Sequence, residues 1–382
     1  MFKEIIDIIR YIYKTKEFIP LHAPVFLGNE KKYLAECIDT TYVSSVGKFV
    51  DSLEEKIKEI TGAYYAVAAV NGTLALQVAL EGVGTKPGEY VLTQSLTFVA
   101  TANAISHLRA IPIFIDSHPE TLSLNPDILK TFLKDNAYLD QEGLCRLASD
   151  NRIIRACVPM HTFGNPALIT DIIEICNHYN IIVVEDAAES LGSKHNGIHT
   201  GLLGECGILS FNGNKIVTSG GGGAIITNNV KLGERLKHIT TTAKIKHPWN
   251  FEHDYRGHNF RMPNLNAALA CAQLEQIDNF LDIKRHIANS YKDFFSKQDG
   301  VRFFDGYKSA ESNHWLNAIV FDDPSKQQEF LIYSNENNVM TRPIWKPMHL
   351  LDIYKECLAT EMPYTEYFYN RVVNIPSGVP KC

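Results

Sequence analysis

The sequence has no pair of cysteines at the spacing of a metal or redox site. Its eight cysteines are scattered over 382 residues, and no two of them form a CxxC motif. Zinc sites normally show clustered ligands, so no metal site is predicted. A disulfide framework is typical of short secreted chains, so we expect free thiols in a reducing cytosol. The cysteines are Cys37, Cys145, Cys157, Cys176, Cys206, Cys271, Cys357 and Cys382.

Long apolar runs and an excess of positive charge are also missing. No stretch approaches the roughly 20 apolar residues that span a bilayer. Charges interrupt the apolar residues of the N-terminal segment MFKEIIDIIRYIYKTKEFIP, which is therefore not a secretory signal. The net charge of −6 argues against nucleic acid or an anionic membrane as the main partner. We expect a cytoplasmic protein. The net charge does not exclude a local basic pocket for a phosphorylated small molecule.

Short apolar runs alternate with segments of helical period in the first two thirds of the chain. Several runs are apolar throughout, as strands buried on both faces are, so the pattern predicts an α/β fold with a mostly parallel sheet. The length exceeds what one core of roughly 250–300 residues supports. We therefore predict two domains, a large one at residues 1–245 and a small α+β one at residues 246–382. The predicted strands are 65–70, 90–93, 111–115, 156–159, 181–184, 208–211 and 224–227, followed by 317–321 in the small domain. The small domain is also predicted to contain one long helix from Pro263 to about Phe295.

Lys215 is the first residue whose surroundings suggest chemistry. A lysine is usually a solvated surface charge. This one follows a predicted buried strand and precedes four glycines, Gly220–Gly223. Four glycines form either a flexible loop or a loop packed against a cofactor, because glycine lets backbone approach closely. They do not form a dinucleotide fingerprint, which must open a helix, whereas these lead into a predicted strand.

Acidic residues follow the predicted strand in Val183-Val-Glu-Asp186-Ala-Ala-Glu189. The carboxyl ends of strands in open α/β sheets are where ligands bind. The alternative for Asp186 is the N-cap of a helix. A carboxylate here could also pair with the ring nitrogen of pyridoxal 5′-phosphate (PLP), whose protonated ring takes up electrons.

The turn Gly72-Thr73 stands between a predicted strand and a predicted helix. The N-terminus of a helix suits a phosphate, although Thr73 would equally serve as an ordinary cap. Ser210, at the end of another strand, could add a hydroxyl to the same phosphate. Phe98 is either a core residue or a ring that stacks on a flat cofactor.

Taken together, these motifs resemble those of the DegT/DnrJ/StrS-type sugar aminotransferases. The segments NGTLAL, SLTFVATANAI, VEDAAESLGS, SFNGNK with its glycine run, and RGHNFRMPNLNAALACAQL stand in the order of that family, and the resemblance extends from about Phe18 to the end of the chain. It implies the fold-type I, aspartate aminotransferase-like architecture, PLP as cofactor, and a homodimer whose active site lies at the subunit interface.

The resemblance also implies a role for each motif residue. Lys215 would carry the cofactor and move the proton, Asp186 would pair with the pyridine nitrogen, and Phe98 would stack on the ring. Glu189 would contact the phenolic oxygen, at a position where many relatives have glutamine. The phosphate would be held by Gly72, Thr73 and Ser210.

Further residues are expected to act from other segments. Asn259 would reach the phosphate from the partner subunit, and Arg261 would help to bind the amino donor or the sugar nucleotide. Arg342 and His349, together with His161, stand in segments that could line the sugar nucleotide site, although each is more readily explained by local hydrogen bonding. Gly221 replaces a glutamate common among relatives, with no predicted consequence.

Narrower segments resemble one subgroup. EFIPLHAPVFLGNE, YVSSVGKFVDSLEEKI and NIPSG are similar to the enzymes that make nucleotide-linked 4-amino-4,6-dideoxy-N-acetylglucosamine for legionaminic acid or bacillosamine. This implies a UDP- or GDP-linked 4-keto-6-deoxy-N-acetylhexosamine as substrate, with glutamate as amino donor. The alternatives are a PLP-dependent sugar dehydratase, which has histidine where this chain has Lys215, and a PLP-binding regulatory protein without catalysis.

Overall fold

A seven-stranded sheet forms the centre of the computed structural model, which describes residues 1–307 and 309–380. The strand order is β1-β11-β10-β7-β6-β2-β3, and only β11 runs antiparallel to its neighbours. The strands are β1 (Tyr65–Ala69), β2 (Tyr90–Gln94), β3 (Ile111–Ile115), β4 (Ala137–Leu139), β5 (Cys145–Leu147), β6 (Ile154–Val158), β7 (Ile182–Asp186), β8 (Lys194–His195), β9 (Ile198–His199), β10 (Cys206–Ser210), β11 (Gly223–Thr227), β12 (Val301–Phe303), β13 (Ala310–Glu311), β14 (Asn317–Phe321), β15 (Arg342–Pro343) and β16 (Val372–Ile375). The mostly parallel α/β fold predicted from the sequence is confirmed.

Helices connect the strands and cover the sheet. They are α1 (Phe2–Tyr13), α2 (Glu30–Asp39), α3 (Lys48–Thr61), α4 (Gly72–Gly82), α5 (Val99–His107), α6 (Pro126–Asn136), α7 (Ile169–His178), α8 (Val230–Thr240), α9 (Asn264–Leu274), α10 (Ile277–Phe295), α11 (Ser325–Glu336) and α12 (Pro363–Tyr369). None of the helices in the described part of the chain is long and apolar enough to cross a membrane. Seven cysteines carry free thiols, and Cys382 lies outside the described residues.

The prediction of one long helix from Pro263 to about Phe295 is wrong, because the structure has two helices there, α9 and α10. The chain turns at Glu275 and Gln276, between α9 and α10. The Glu275 carboxylate accepts hydrogen bonds from the side chains of Asn29 and Tyr33, both 2.8 Å away. The apolar period continues across this turn without a proline or glycine, so the sequence does not reveal the break.

A second, four-stranded antiparallel sheet has the order β12-β14-β16-β15. Its core includes Ile5 and Ile9 of α1 as well as Tyr291 of α10 and Phe330 of α11. The N-terminal helix therefore packs with elements from the other end of the chain. The division into residues 1–245 and 246–382 remains a prediction.

The topology brings several strand ends to one edge of the large sheet. β7 and β10 are parallel neighbours, and Ile208 is in register with Asp186. β1 and β10 both run antiparallel to β11 between them, so they point the same way. The residues that follow β1, β2, β7 and β10 therefore meet at the carboxyl edge, where such sheets bind ligands.

Candidate active site

A cavity of about 300 Å³ opens at this carboxyl edge. It brings together seven residues predicted from the sequence: Gly72, Thr73, Phe98, Asp186, Glu189, Ser210 and Lys215. A larger hollow of about 880 Å³ lies between α6 and α7, but it contains none of the predicted residues. The smaller cavity is the candidate active site because it combines an amine, buried carboxyl groups and a helix N-terminus. Its other lining residues are Asn71, Leu76, Ala100, Ala188, Ile208, Asn212, Asn214, Trp315 and Trp345.

One end of the cavity suits a phosphate. Asn71 caps α4 by accepting the N–H of Leu74 at 2.8 Å, so the alternative in which Thr73 serves as the cap is wrong. The N–H groups of Gly72 and Thr73 have no hydrogen-bond partner within residues 1–307 and 309–380. A Cβ at Gly72 would lie 3.0 Å from the Cβ of Ser210, so glycine lets Ser210 approach the first turn. Free N–H groups, two hydroxyls and the helix dipole are what a phosphate dianion requires.

The glycine run packs against this same turn. A Cβ on Gly223 would lie 2.6 Å from the carbonyl carbon of Asn71 and 2.7 Å from the nitrogen of Gly72. Gly220 adopts a φ of +78°, which side chains disfavour, whereas a Cβ on Gly221 would meet nothing within 4 Å. Gly223 belongs to β11, which confirms the rejection of a dinucleotide fingerprint. The closest backbone approach of the run is therefore to the turn at Asn71 and Gly72, which Gly223 allows to lie against β11.

Asp186, at the end of β7, also lines the cavity. Its Oδ2 accepts the Thr101 hydroxyl at 2.8 Å and its Oδ1 accepts the Ala188 N–H at 3.1 Å. Burial raises the pKa of the Asp186 carboxyl, and these two donors oppose that rise. A turn rather than a helix follows β7, so the alternative in which Asp186 is a helix cap is wrong. Thr101 was not identified from the sequence.

Glu189 is buried beside Lys215. Its Oε2 accepts the N–H of Phe163 at 2.9 Å, and Phe163 adopts a left-handed backbone with φ of 58°. Its Oε1 accepts a hydrogen bond from Lys215 Nζ at 3.3 Å. Burial raises the pKa of the Glu189 carboxyl to about 7, although the attraction of Lys215 opposes the rise. The carboxyl thus changes charge near neutral pH.

Lys215 extends from a turn after β10 and has a side chain only 12% exposed. Its Nζ lies 3.8 Å from the centroid of the Trp315 ring. Trp315 Nε1 donates to the carbonyl of Asn214 at 2.7 Å and so holds the turn itself. Sequence reasoning missed Trp315, although the rarity of tryptophan, three in the whole chain, was a usable signal. The alternative of a solvated surface lysine is wrong.

Phe98 and Trp345 line the same cavity. Phe98 is 50% exposed, so the alternative of an ordinary core residue is wrong. Its ring centroid lies 6.4 Å from that of Trp345, which in turn lies 5.1 Å from Phe163. An aromatic face that is exposed in a cavity suits stacking against a flat ring.

Other predicted residues lie away from this cavity. Asn259 accepts a hydrogen bond from Arg261 Nε at 3.0 Å, and Arg261 lines a separate hollow of about 240 Å³. Arg342 is exposed and its guanidinium donates to the carbonyl of Thr341. His349 Nδ1 pairs with the Ser95 hydroxyl at 2.6 Å.

His161 has a structural environment. It is fully buried, and its Nδ1 accepts the N–H of Ala167 at 3.0 Å. Its Nε2 can then donate to Glu185, whose carboxylate also accepts the N–H groups of Gly201 and Gly204. Every polar atom of the imidazole is thereby satisfied within the protein.

Comparison with known proteins agrees with this geometry. The DegT/DnrJ/EryC1/StrS aminotransferase family matches residues 27–380. This chain belongs to that family. EpsN of Bacillus subtilis (strain 168), named as a pyridoxal phosphate-dependent aminotransferase, is 33% identical over 94% of this chain and 91% of its own length. GDP-perosamine synthase of Escherichia coli O157:H7 is 32% identical, over 94% and 93%.

Solved structures of aminotransferases share the fold. TlmJ from Streptoalloteichus hindustanus matches with a TM-score of 0.84 at 24% identity, over 94% of this chain and 93% of its own. PseC of Helicobacter pylori, described as an aminotransferase involved in the biosynthesis of pseudoaminic acid, matches with a TM-score of 0.85 at 20% identity, over 94% of each chain. The fold-type I architecture predicted from the sequence is confirmed. The protein is a PLP-dependent sugar aminotransferase.

Proposed function

We propose that this aminotransferase transfers an amino group from glutamate to C4 of a nucleotide-linked 4-keto-6-deoxy-N-acetylhexosamine. The observation that supports it is the cavity, which the Lys215 amine shares with the N-terminus of α4 and with the buried carboxyl groups of Asp186 and Glu189. We place the reaction in the cytoplasm, because the seven described thiols are free. The product would serve surface glycans of the legionaminic acid or bacillosamine type.

The residues of the cavity have separate tasks in this proposal. Bound PLP supplies a carbonyl carbon for amines and a pyridine ring that takes up electrons. Gly72, Thr73 and Ser210 hold its phosphate, and the Asp186 carboxylate keeps a proton on the ring nitrogen. Lys215 moves the proton between the reacting carbon atoms, since its amine is the one base that points into the cavity from this turn.

Two observations support the choice of nucleotide and sugar, namely the resemblance of two sequence segments and the name of a relative. The segments at residues 17–30 and 42–57 resemble enzymes for the N-acetylated sugar, for which both UDP and GDP are candidates. The name of the Escherichia coli relative, GDP-perosamine synthase, favours a GDP-linked sugar as the second candidate. We propose that Arg342 and His349 act on the sugar nucleotide together with Arg261, although none of the three lines the cavity in one chain.

A homodimer completes the site in this proposal. Asn259 lies outside the cavity of its own chain and is exposed, so it is free to reach the phosphate of a second copy. The chain segment just before it carries two exposed aromatic rings, Trp249 at 75% and Phe251 at 79%. Exposed apolar surface of this kind marks an interface.

Single-turnover spectroscopy tests the proposed reaction. The holoenzyme is converted with glutamate, which abolishes the visible absorption band of PLP, and excess glutamate is removed. UDP- and GDP-linked 4-keto-6-deoxy-N-acetylglucosamine and GDP-linked 4-keto-6-deoxymannose are then added separately. We expect the band to return with one of the N-acetylated sugars.

The outcomes separate the candidates. Return only with the mannose derivative would replace the proposed sugar by the second candidate. No return with any sugar, although glutamate had removed the band, would contradict transamination of this substrate class and favour a binding protein. The Lys215→Ala variant is the control, and we expect it to show neither loss nor return of the band.

A further inference from the structure

Trp315 lies directly against the side chain of the proposed cofactor lysine. The ring centroid is 3.8 Å from Lys215 Nζ, well within the distance of about 6 Å at which a cation is attracted to a π face. The indole is 4% exposed, so water screens this attraction little. Its Nε1 donates to the Asn214 carbonyl, which fixes the ring relative to the lysine.

The backbone of Trp315 is anchored from its other side. Its N–H donates to Asn313 Oδ1 at 2.8 Å, and its carbonyl accepts the Nζ of Lys284 at 3.2 Å. Lys284 is fully buried and also donates to the Ser377 carbonyl at 2.6 Å and to His22 Nε2 at 3.0 Å. The ring position is therefore set before any ligand binds.

Glu189 contacts the same amine from another direction, with Oε1 at 3.3 Å from Nζ. We propose that Trp315 and Glu189 form a cradle that holds the Lys215 amine, as an ammonium group, when it is neither bonded to the cofactor nor moving the proton. Trp315 is thus a positioning residue that acts through Lys215. The inference rests on the proposed role of Lys215 as the cofactor lysine.

The cradle has a measurable consequence for cofactor binding. Bound PLP would remove the amine from the cradle, because Lys215 would form a C=N bond with the PLP carbonyl carbon. The carbonyl oxygen would leave as water with two protons of the ammonium group, and the third would stay on the nitrogen. Binding of pyridoxamine 5′-phosphate leaves the amine free, since this ligand already carries its own amine. Loss of the cradle therefore destabilises the free protein and the pyridoxamine 5′-phosphate complex equally, so the affinity for that ligand does not change. It leaves the PLP complex unaffected, so PLP binds more tightly.

Dissociation constants for the two ligands, measured by fluorescence titration of the full-length protein, test the cradle. We expect the ratio Kd(PLP)/Kd(pyridoxamine 5′-phosphate) to fall on the order of tenfold in Trp315→Leu, the effect of removing a desolvated π face. Trp315→Phe retains a weaker face, so its ratio should fall by about two- to threefold. Effects on contacts common to both ligands cancel in the ratio.

The results that overturn the cradle are distinct from those that overturn the role of Lys215. If the ratio is unchanged in both variants, or falls equally in both, the π face of Trp315 does not stabilise the Lys215 ammonium group. If Trp315→Leu does not fold, an unchanged ratio in Trp315→Phe alone overturns it. In a Lys215→Ala background, neither substitution should change the ratio. Covalent attachment of PLP to Lys215→Ala after borohydride reduction would instead reject Lys215 as the cofactor lysine.

Discussion

At the scale of single residues, burial makes the carboxyl of Glu189 behave differently from a carboxyl in water. It shares the cavity with Lys215, and only one of its oxygens faces that amine, because the other accepts the Phe163 N–H. Many relatives have glutamine at this position, which has the same shape but cannot ionise. Because burial raises its pKa to about 7, the Glu189 carboxyl loses its proton near neutral pH, and the folded protein bears the cost of burying that charge.

Glu189→Gln should reveal this cost as a pH-dependent change in stability. The folded-state pKa of about 7 lies above the ordinary value of 4.5, so the folded protein binds more protons between these values and wild-type stability falls as pH rises. We expect the advantage of the variant in free energy of unfolding to grow by about 2 kcal/mol from pH 5 to pH 8. Urea unfolding of the cofactor-free protein measures it. An advantage that does not change with pH would show that Glu189 keeps one charge state throughout.

At the scale of elements, β11 contacts the N-terminus of α4 at the end of the cavity that we propose binds the phosphate. Gly223→Ala would place a methyl group against Asn71 and Gly72. We expect the free energy of unfolding to fall by about 1–3 kcal/mol, as in other overpacked sites, and PLP to bind more weakly because the turn is displaced. Gly221→Ala is the matched control, since its Cβ meets nothing within 4 Å. Denaturant unfolding and PLP titration compare the two. Equal effects in both variants would rule out the steric explanation.

The same elements show which features the sequence could predict and which contacts between distant residues it could not. Unbroken apolar runs located β2, β3 and β11 to within a residue, and strand-end motifs located Asp186, Ser210 and Lys215 in one cavity. Local patterns work here because each depends on neighbours in sequence. Trp315 stands 100 residues after Lys215, and the packing of α1 with the second sheet joins the two ends of the chain. Such contacts depend on tertiary packing, which no local period encodes.

At the scale of the whole molecule, the residues predicted to bind the cofactor, together with Arg261, lie in two places. Most line the cavity of their own chain, whereas Asn259 with Arg261 lies on a different surface beside residues of α3 and α8. A symmetric dimer unites the two groups only if each chain completes the site of the other. This arrangement predicts that two damaged chains can restore one another.

Mixing Lys215→Ala with Asn259→Asp tests this directly. The aspartate would place a negative charge against the phosphate, so each variant alone should have little activity. In a hybrid dimer, one site combines both defects, whereas the other has an intact Lys215 and an intact Asn259. Random exchange of subunits makes half of the dimers hybrid, so activity should recover to about a quarter of wild type. Transamination after mixing, unfolding and refolding the two chains together measures it. Failure to recover, with hybrids shown by differently sized tags, would place Asn259 in the site of its own chain or outside the site altogether.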